Sequence, residues 1–273
     1  MNPYEKFSEE LKVAAEAFKK IDKKDVIRVI SHLDADGISA CAIMIKLLNN
    51  DNRKYSISIV QQLNKSVLSQ LAAEPYNCFI FTDIGSGVLS DIKELLKDKK
   101  VFILDHHSIE EAYDIKDMVL VNPHTCGIDG GKEISGAGVV FKFACAVDKN
   151  MEELAHIAIV GAIGDLQEQN GFLRLNEEIL QTAIAKNKIN VVKGLRIFGS
   201  QTKPIHKALE YCTDPYIPGV SGSESGAIQF LYQIGVEPKN SSGWKKIVNL
   251  DEADMKKLVT GIIMKRLDEA KPE

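Results

Sequence analysis

The chain has 273 residues, of which 45% are hydrophobic and 26% are charged, and its formal net charge is −4. This composition supports one large domain or two small ones and excludes a disordered chain. The acidic balance argues against a broadly basic nucleic-acid coat, although a local groove lined by metal ions could still bind phosphate.

The amino-terminal part of the chain alternates helical and strand patterns. Apolar residues recur at helical spacing over 7–20, Ala40–Leu48 and Val88–Leu96. Short apolar runs between these segments predict five strands: Val26–Ile30, Tyr55–Val60, Cys78–Thr82, Val101–Leu104 and Met118–Val121. Such alternation is typical of a parallel sheet with helices on both faces, so we predict an α/β fold.

From Gly138 onward the pattern becomes mostly helical. The predicted helices are Val139–Val147, Met151–Val160, Asn176–Ala185, Glu224–Ile234 and Asp251–Arg266, with a connector punctuated by Pro204, Pro215 and Pro218. We therefore predict a parallel-sheet domain over residues 1–200, followed by a small, mostly helical extension over 201–273.

The sequence also bears on the compartment of the protein. No apolar run reaches the ~18 residues that a membrane-spanning helix needs, and residues 1–20 are charged throughout, unlike a signal peptide. Five cysteines without CxxC spacing indicate neither a disulfide framework nor a thiolate zinc site. We expect a cytoplasmic protein that does not bind membranes.

Acidic residues and histidines follow three of the predicted strands. They are His32, Asp34 and Asp36 after the first strand, Asp83 after the third, and Asp105, His106 and His107 after the fourth. In an open parallel sheet the carboxyl ends of the strands form the ligand site, and Asp165, at the end of an apolar helix, could point to the same place. Carboxylates and imidazoles without thiolates suit Mn²⁺ or Mg²⁺, and crowded carboxylates repel one another unless cations neutralise them. The pattern therefore predicts a metal site.

Taken singly, these residues have ordinary structural alternatives. An Asp after a strand, such as Asp34 or Asp83, is commonly a helix N-cap. A lone histidine is commonly a satisfied or exposed side chain. The coincidence of four such segments at strand or helix ends favours the metal site over these alternatives.

Four segments together resemble the motifs of the DHH phosphoesterase superfamily: His32-x-Asp34-x-Asp36-Gly37, Asp83, Asp105-His106-His107 and Gly161-x-x-Gly164-Asp165. Asn122-Pro123-His124 and Ser135–Gly138 resemble further blocks of that superfamily. Tyr216–Gly222 and the helix after it resemble, more narrowly, the archaeal RecJ-like nucleases that associate with the GINS replication complex. The resemblance extends over about residues 25–260.

The resemblance implies two Mn²⁺ ions, with Mg²⁺ as the alternative metal. It implies two ligand sets that share Asp83 as a bridge: His32, Asp34 and Asp83 in one, and Asp36, Asp83, His106 and Asp165 in the other. The catalytic residues would be Asp83, His107 and Asp105. His107 would donate a hydrogen bond to the phosphate oxygen that gains charge, and Asp105 would orient a histidine.

The candidates for substrate binding carry a weaker signal. Ser135, Gly136 and Gly138 open a predicted helix whose N–H groups can cradle a phosphate, but a tight helix start explains them equally well. His124 is a similar case. Lys132 and Arg174 could contact the substrate backbone, but a surface lysine or arginine is usually just solvated. Trp244 and Phe172 could stack on bases, but we expect them to pack in the core.

The resemblance implies a metal-dependent exonuclease acting on single-stranded DNA or RNA, in archaeal DNA repair or replication. A small-substrate phosphoesterase, acting on pyrophosphate or short oligonucleotides, is one alternative. A non-catalytic replisome scaffold is the other, although such scaffolds usually lose metal ligands.

One expected feature of RecJ-like enzymes is missing from the sequence. They continue into a second domain that grips the nucleic acid with a glycine-rich, histidine-containing segment, and this chain has no such stretch. We therefore expect a truncated chain or a split gene, with GINS or a separate chain carrying the second domain as partner. Phe230, Leu231, Ile262 and Ile263 are the candidate partner contacts, unless they close the core of this chain.

Overall fold

A computed structural model describes residues 2–109, 118–168, 171–191, 195, 197–241 and 243–269. The chain divides into two compact units, residues 1–190 and 191–273. The strands of the first unit are β1 (Ile27–His32), β2 (Tyr55–Val60), β3 (Cys78–Thr82), β4 (Lys100–Leu104) and β5 (Met118–Val121). Its helices are α1 (Pro3–Lys19), α2 (Ala35–Asn50), α3 (Lys65–Ala73), α4 (Leu89–Leu95), α5 (Gly136–Val147), α6 (Ala155–Gly164) and α7 (Arg174–Ala185).

The five strands form one parallel sheet in the order β2-β1-β3-β4-β5. The predicted α/β fold is thereby confirmed. In a sheet with this order the chain reverses direction across the sheet between β1 and β3, which is where doubly wound proteins bind their ligands. Ser31 pairs with Thr82 at that point, so the segments that follow β1 and β3 leave the sheet side by side.

Alternate residues of each strand point to opposite faces of the sheet, and both faces are buried. Val29 and Ile80 belong to the larger core beneath α1, α2, α5, α6 and α7. Ile30 and Phe81 face the smaller core beneath α3 and α4. A strand buried on both faces has apolar residues throughout, as the sequence of β3 (Cys-Phe-Ile-Phe-Thr) shows.

The helices of the first unit begin or end at other residues than predicted, and α2 and α6 show why. Helix α2 begins at Ala35, five residues earlier than predicted, because the Asp34 carboxylate caps it by accepting from the Gly37 N–H at 2.8 Å. The helix predicted over 151–160 is divided, because a 3₁₀ turn (Lys149–Leu154) precedes α6.

The second unit contains α8 (Ile205–Glu210), α9 (Glu224–Gln233) and α10 (Glu252–Glu269), with a short antiparallel hairpin of β6 (Lys239–Asn240) and β7 (Gly243–Trp244). It has its own apolar core. Phe230, Leu231 and Ile262 are at most 2% exposed within that core, so for these three the alternative, that they close the core of this chain, is correct. Ile263 alone of the four is exposed. Across the described residues of both units, no helix is long and apolar enough to cross a membrane.

Candidate metal centre

The carboxyl edge of the sheet gathers the predicted ligands into one cluster. Potential ligand atoms lie within 4.8 Å of one another in three overlapping groups: His32, Asp34 and Asp83; Asp36, His106 and Asp165; and Asp83, His106 and His107. The first two groups contain all six residues predicted to bind metal. The Asp83 Oδ1 to His106 Nε2 distance of 3.3 Å joins them.

Asp83 is the buried centre of this cluster. It is 1% exposed, and neither of its side-chain oxygens has a hydrogen-bond partner among the described residues. The 3₁₀ turn that follows starts after Gly85 without a side-chain cap, so the N-cap explanation of Asp83 is wrong. A buried carboxylate without partners is expensive, and a bound cation is the usual remedy.

Two imidazoles of the cluster, those of His32 and His106, each present a nitrogen to carboxylates. His106 Nδ1 lies 2.7 Å from the Gly130 carbonyl oxygen, and His32 Nε2 lies 3.2 Å from that of Gln61. Because a carbonyl oxygen can only accept, the ring nitrogen facing it must carry the proton. In the neutral rings the opposite nitrogens, His106 Nε2 and His32 Nδ1, therefore have lone pairs available for a metal.

Asp34 serves as a cap and faces the cluster as well. Its Oδ1 accepts from the first turn of α2, whereas its Oδ2 lies 2.8 Å from His32 Nδ1. The structural alternative for Asp34 is thus correct, but it leaves one oxygen free for a metal. A single carboxylate can fill both roles because its two oxygens point in different directions.

Asp36 is anchored by the amino terminus of α5. Its carboxylate accepts from the Gly136 N–H at 2.6 Å and from the Ala137 N–H at 3.0 Å, while the Gly138 N–H donates to Ser135 Oγ at 3.2 Å. These amides are therefore occupied by protein groups. The structure favours a tight helix start over a phosphate cradle for Ser135, Gly136 and Gly138.

Gly136 also makes room for the central carboxylate. A Cβ at this position would lie 2.7 Å from Asp83 Cγ and would overlap Asp83 Oδ1. Only glycine lets α5 approach the cluster this closely. The amino end of α5 thus packs directly against two carboxylates.

Asp105 orients His107 rather than His106. Its carboxylate accepts from His107 Nδ1 at 2.7 Å and from the N–H groups of Ser86 and His106, both at 2.8 Å. Asp105 is buried, whereas the His107 side chain is 52% exposed. The bond to Asp105 fixes the His107 ring with Nε2 on the opposite side from the carboxylate.

Burial and charge shift the pKa values of the cluster. Burial raises the pKa of Asp83 to about 8, and Asp36 and Asp105 act in the same direction against the attraction of His106, whose Nε2 lies 3.3 Å from Asp83 Oδ1. Burial likewise raises the pKa of Asp36. For His106, burial acts downward, but Asp83, Asp36 and Asp105 outweigh it and raise its pKa to about 10. Without a cation the cluster therefore retains protons that a metal would displace.

Asp105 and His107 behave as a charged pair. Burial acts to raise the pKa of Asp105, but the hydrogen bond and charge of His107 outweigh it and hold that pKa well below its usual value. The same hydrogen bond raises the pKa of His107. A cationic His107 beside the cluster is suited to bind an anion such as phosphate.

A chain of buried amides supports the cluster and was not predicted from the sequence. Gln167 Nε2 donates to Asp165 Oδ2 at 2.7 Å and to the Gly130 carbonyl at 3.0 Å, the same carbonyl that orients His106. Asn176 donates in turn to Gln167 Oε1 at 2.6 Å. The only signal in the sequence is the position of Gln167, two residues after Asp165.

Asn122 supports the loop that carries His107. Its side-chain amide donates to Ser86 Oγ at 2.8 Å and to the His107 carbonyl at 2.9 Å. The resemblance included Asn122 in a motif without giving it a role. His124, two residues later, is half-buried in the 3₁₀ turn after β5.

A cleft of about 490 Å³ opens beside the cluster. Its lining includes four residues of the site, His32, Asp83, Asp105 and His107, and also Gln61, Gln62, Leu63, Ile84, Gly85, Gly87, Val88 and Ser108. This volume is within the range of small-ligand sites.

Three of the residues considered for contact with substrate make ordinary contacts within the protein. Lys132 pairs with Asp129 at 3.1 Å, Arg174 lies 6.0 Å from the Tyr4 ring centre, and Phe172 packs against the larger core.

Two protein families match the chain. The DHH family, N-terminal domain, matches residues 26–164, and the DHH-CID domain matches residues 197–273. An uncharacterized protein from Methanocaldococcus jannaschii is 36% identical over 268 residues, which cover 94% of this chain and 59% of that protein. A putative SPbeta prophage-derived single-strand DNA-specific exonuclease, YorK, from Bacillus subtilis is 23% identical over 170 residues, covering 59% of this chain and 29% of YorK.

Solved structures share the fold. RecJ in complex with Mn²⁺ from Thermus thermophilus matches with a TM-score of 0.54 and 18% identity, over 95% of this chain and 38% of RecJ. CDC45 from Entamoeba histolytica matches with a TM-score of 0.59 and 14% identity, over 98% of this chain and 57% of CDC45. This chain therefore spans less than two thirds of the length of each of these four proteins.

Proposed function

The chain belongs to the DHH family, and from this premise we propose that it is a divalent-metal-dependent exonuclease of the RecJ-like kind, hydrolysing phosphodiester bonds in single-stranded DNA or RNA. The observation that carries the proposal is Asp83, whose two buried oxygens lack hydrogen bonds and lie between two imidazoles. This arrangement is costly without a cation and suited to one.

The donor set fits divalent ions. His32, Asp34 and Asp83 would hold one ion, and Asp36, Asp83, His106 and Asp165 would hold another, with Asp83 shared. One imidazole in each set favours Mn²⁺ over Mg²⁺, which prefers oxygen ligands. Bound ions would supply a Lewis acid that activates water and positive charge that neutralises the phosphate.

His107 and Asp105 have roles that follow from their hydrogen bonds. Asp105 holds His107 Nδ1, so the protonated His107 donates from Nε2 to a phosphate oxygen as negative charge develops there. Asp105 acts as a positioning residue because it is buried behind His107. A protonated His107 is required for this role, and the carboxylate of Asp105 favours that form.

Single-stranded nucleic acid is the substrate class that the relatives favour. YorK is described as a single-strand DNA-specific exonuclease, and its similarity covers 59% of this chain. A role in DNA replication or repair, alongside GINS or a chain carrying a second RecJ-like domain, follows from the resemblance of Tyr216–Gly222 to archaeal RecJ-like proteins.

Two other functions have an observation in their favour. The cleft of about 490 Å³ is of a size for a small phosphorylated substrate, as in a pyrophosphatase or oligonucleotide phosphoesterase. The likeness to CDC45 favours a non-catalytic scaffold. Against the scaffold, all six predicted metal-binding residues are present and lie together.

The test is hydrolysis of four substrates by the full chain with Mn²⁺: end-labelled single-stranded DNA, single-stranded RNA, a dinucleotide and pyrophosphate. We expect EDTA-sensitive release of mononucleotides from a single strand and no activity in Asp83→Asn. Asp148→Asn is the matched control, because Asp148 caps a turn by accepting from the Asn150 N–H and asparagine caps equally well. Turnover of pyrophosphate alone would support the small-substrate enzyme, and no turnover at all would support the scaffold.

A further inference from the structure

Three exposed aromatic side chains of the second unit each have a lysine ammonium beside the ring. Phe198 is 81% exposed, Tyr211 55% and Trp244 39%. Lys203 Nζ lies 5.3 Å from the centre of the Phe198 ring and 4.3 Å from that of Tyr211. Lys239 Nζ lies 4.1 Å from a ring centre of Trp244. We call these five residues the aromatic–lysine patch.

Helix α8 connects the two ends of this patch. His206 on α8 stacks against Trp244 with ring centres 3.8 Å apart, and the next residue, Lys207, lies 5.9 Å from the Tyr211 ring centre. Glu224 contacts both α8 residues, at 3.4 Å from His206 and 2.8 Å from Lys207. Tyr211 and Trp244 therefore both lie beside α8.

In the described part of the chain, no carboxylate neutralises the two lysines of the patch. Lys207 is paired with Glu210 at 2.9 Å as well as with Glu224, so its charge is balanced. Among the described residues, neither Lys203 nor Lys239 makes an ion pair. Two ammonium groups thus stay available beside three exposed rings, although the chain as a whole is acidic.

We propose that the aromatic–lysine patch binds single-stranded nucleic acid, with bases stacking on Phe198, Tyr211 and Trp244 and phosphates contacting Lys203 and Lys239. Proteins that bind single strands without sequence preference combine aromatic rings with positive charge in this way. A single exposed ring would be ordinary. Protein-protein interfaces are rich in aromatic residues but depleted in lysine, so the pairing of rings with free lysines favours a nucleic acid over a protein partner.

The patch contains none of the residues of the metal centre. Only the choice of a single-stranded nucleic acid as its ligand rests on the proposed function. The patch also corrects the expectation that Trp244 packs in the core. Trp244 lies instead on a two-residue strand of the hairpin, both of whose residues are exposed.

Trp244 is the only tryptophan in the chain, so its fluorescence reports on this patch alone. The first experiment titrates the full chain with a 15-residue oligothymidylate in EDTA, which prevents metal-dependent hydrolysis. Tryptophan emission and the anisotropy of a labelled oligonucleotide are recorded together. We expect quenching that saturates with the anisotropy. Absence of binding, or binding without quenching, would overturn the proposal.

Variants then test the rings. Tyr211→Ala and Trp244→Ala should each weaken binding at least fivefold, the low end of the effect of removing one stacked ring. Trp244→Phe should stay within about twofold of wild type, because a ring is retained. Tyr232→Ala is the matched control, since Tyr232 is a similarly exposed tyrosine on α9 and no lysine in the described part of the chain lies over its ring. Equal losses in Tyr211→Ala and Tyr232→Ala, or no loss in either, would overturn the proposal.

The lysines are tested through salt dependence. Lys203→Gln should reduce the slope of log affinity against log salt concentration by about 0.7, the value for one phosphate contact on a single strand. An exposed lysine of α10, Lys256, provides the control Lys256→Gln, which should leave the slope unchanged. An unchanged slope in Lys203→Gln would overturn the phosphate contact. Melting temperatures of all variants confirm that they are folded.

Failure of this proposal and failure of the proposed function are distinguishable. If the chain hydrolyses no substrate but oligothymidylate quenches Trp244, the patch is supported and the nuclease function is not. If single strands are hydrolysed but the patch variants bind oligothymidylate like wild type, the patch is overturned and the nuclease function stands.

Discussion

Replacing Asp83 with asparagine distinguishes a metal ligand from a structural residue by the sign of the change in stability. Burial raises the pKa of Asp83 from 3.8 to about 8. At pH 7 this difference lowers the free energy of unfolding of the metal-free protein by about 4 kcal/mol. Asparagine carries no charge and tolerates the left-handed backbone of this position (φ 58°), but its buried amide lacks partners, at a cost of about 1–3 kcal/mol. The variant also loses the attraction between Asp83 and protonated His106, 3.3 Å away, so metal-free Asp83→Asn should be more stable than wild type by at most about 1–3 kcal/mol.

Thermal unfolding in EDTA and in Mn²⁺ measures this effect. In EDTA, Asp83→Asn should melt above wild type, by about 2–4 °C for each kcal/mol. In Mn²⁺, the melting temperature of wild type should rise, whereas that of the variant should rise little. The variant should also lose hydrolysis. Asp148→Asn, the N-cap control, should match wild type in all three measurements. A lower melting temperature of Asp83→Asn in EDTA, together with an intact gain from Mn²⁺, would show that Asp83 is a structural residue and not a metal ligand.

Three further outcomes follow from the site. Asp83 and His106 have raised pKa values, about 8 and about 10. The melting temperature of the metal-free protein should therefore fall as pH rises from about 6 to about 9. The increase in melting temperature that Mn²⁺ causes should grow over the same range. Asp105→Asn removes the anion that raises the pKa of His107, so the alkaline limb of the pH–rate profile should move to lower pH, with kcat reduced more than KM. Gln167→Ala removes the hydrogen bond that holds the Asp165 carboxylate in place. It should weaken Mn²⁺ binding, measured by calorimetry, by about 10–100-fold.

Matched measurements make these outcomes decisive. Gln181→Ala removes an exposed amide of α7 that donates to Glu177 at 2.7 Å, and it should leave Mn²⁺ affinity unchanged. An equal loss of affinity in Gln167→Ala and Gln181→Ala would contradict a specific supporting role. A gain from Mn²⁺ that is constant with pH would contradict displacement of protons by the metal. An alkaline limb that stays in place in Asp105→Asn would contradict the role given to His107.

The strands were predictable because a sheet covered on both faces needs apolar residues throughout. The predicted bounds of Tyr55–Val60, Cys78–Thr82 and Met118–Val121 coincide with β2, β3 and β5. Strand β1 continues two residues past its predicted end because Ser31 and His32 still pair with neighbouring strands. Polar residues at a strand end give no strand signal.

Short or weakly apolar helices were missed for a similar reason. Helix α3 has nine residues, of which only Leu68 and Leu71 are buried. Helix α8 has six residues and directly follows Pro204, a residue typical of a connector. Neither segment is long enough to establish a helical period by itself.

The site residues with chemistry of their own were predictable, whereas their supports were not. Carboxylates and imidazoles at strand ends stand out against apolar strands. Gln167 and Asn176 are neutral amides whose importance depends on being buried next to Asp165, which only the folded chain reveals. The carbonyl of Gly130 carries no sequence signal at all, yet it determines which nitrogen of His106 faces the carboxylates.

The position of Asp83 shows why this fold tolerates an unfavourable residue at its centre. Its backbone N–H still donates to the Leu104 carbonyl at 2.9 Å, extending the sheet by one residue beyond β3. Its left-handed φ and its unpaired oxygens both act against the stability of the metal-free fold. Such strain persists only where the surrounding structure fixes the residue, and here buried strands on both sides of β3 do so. Because the sheet and not the metal holds Asp83 in place, removing the metal should leave the fold intact while changing its stability.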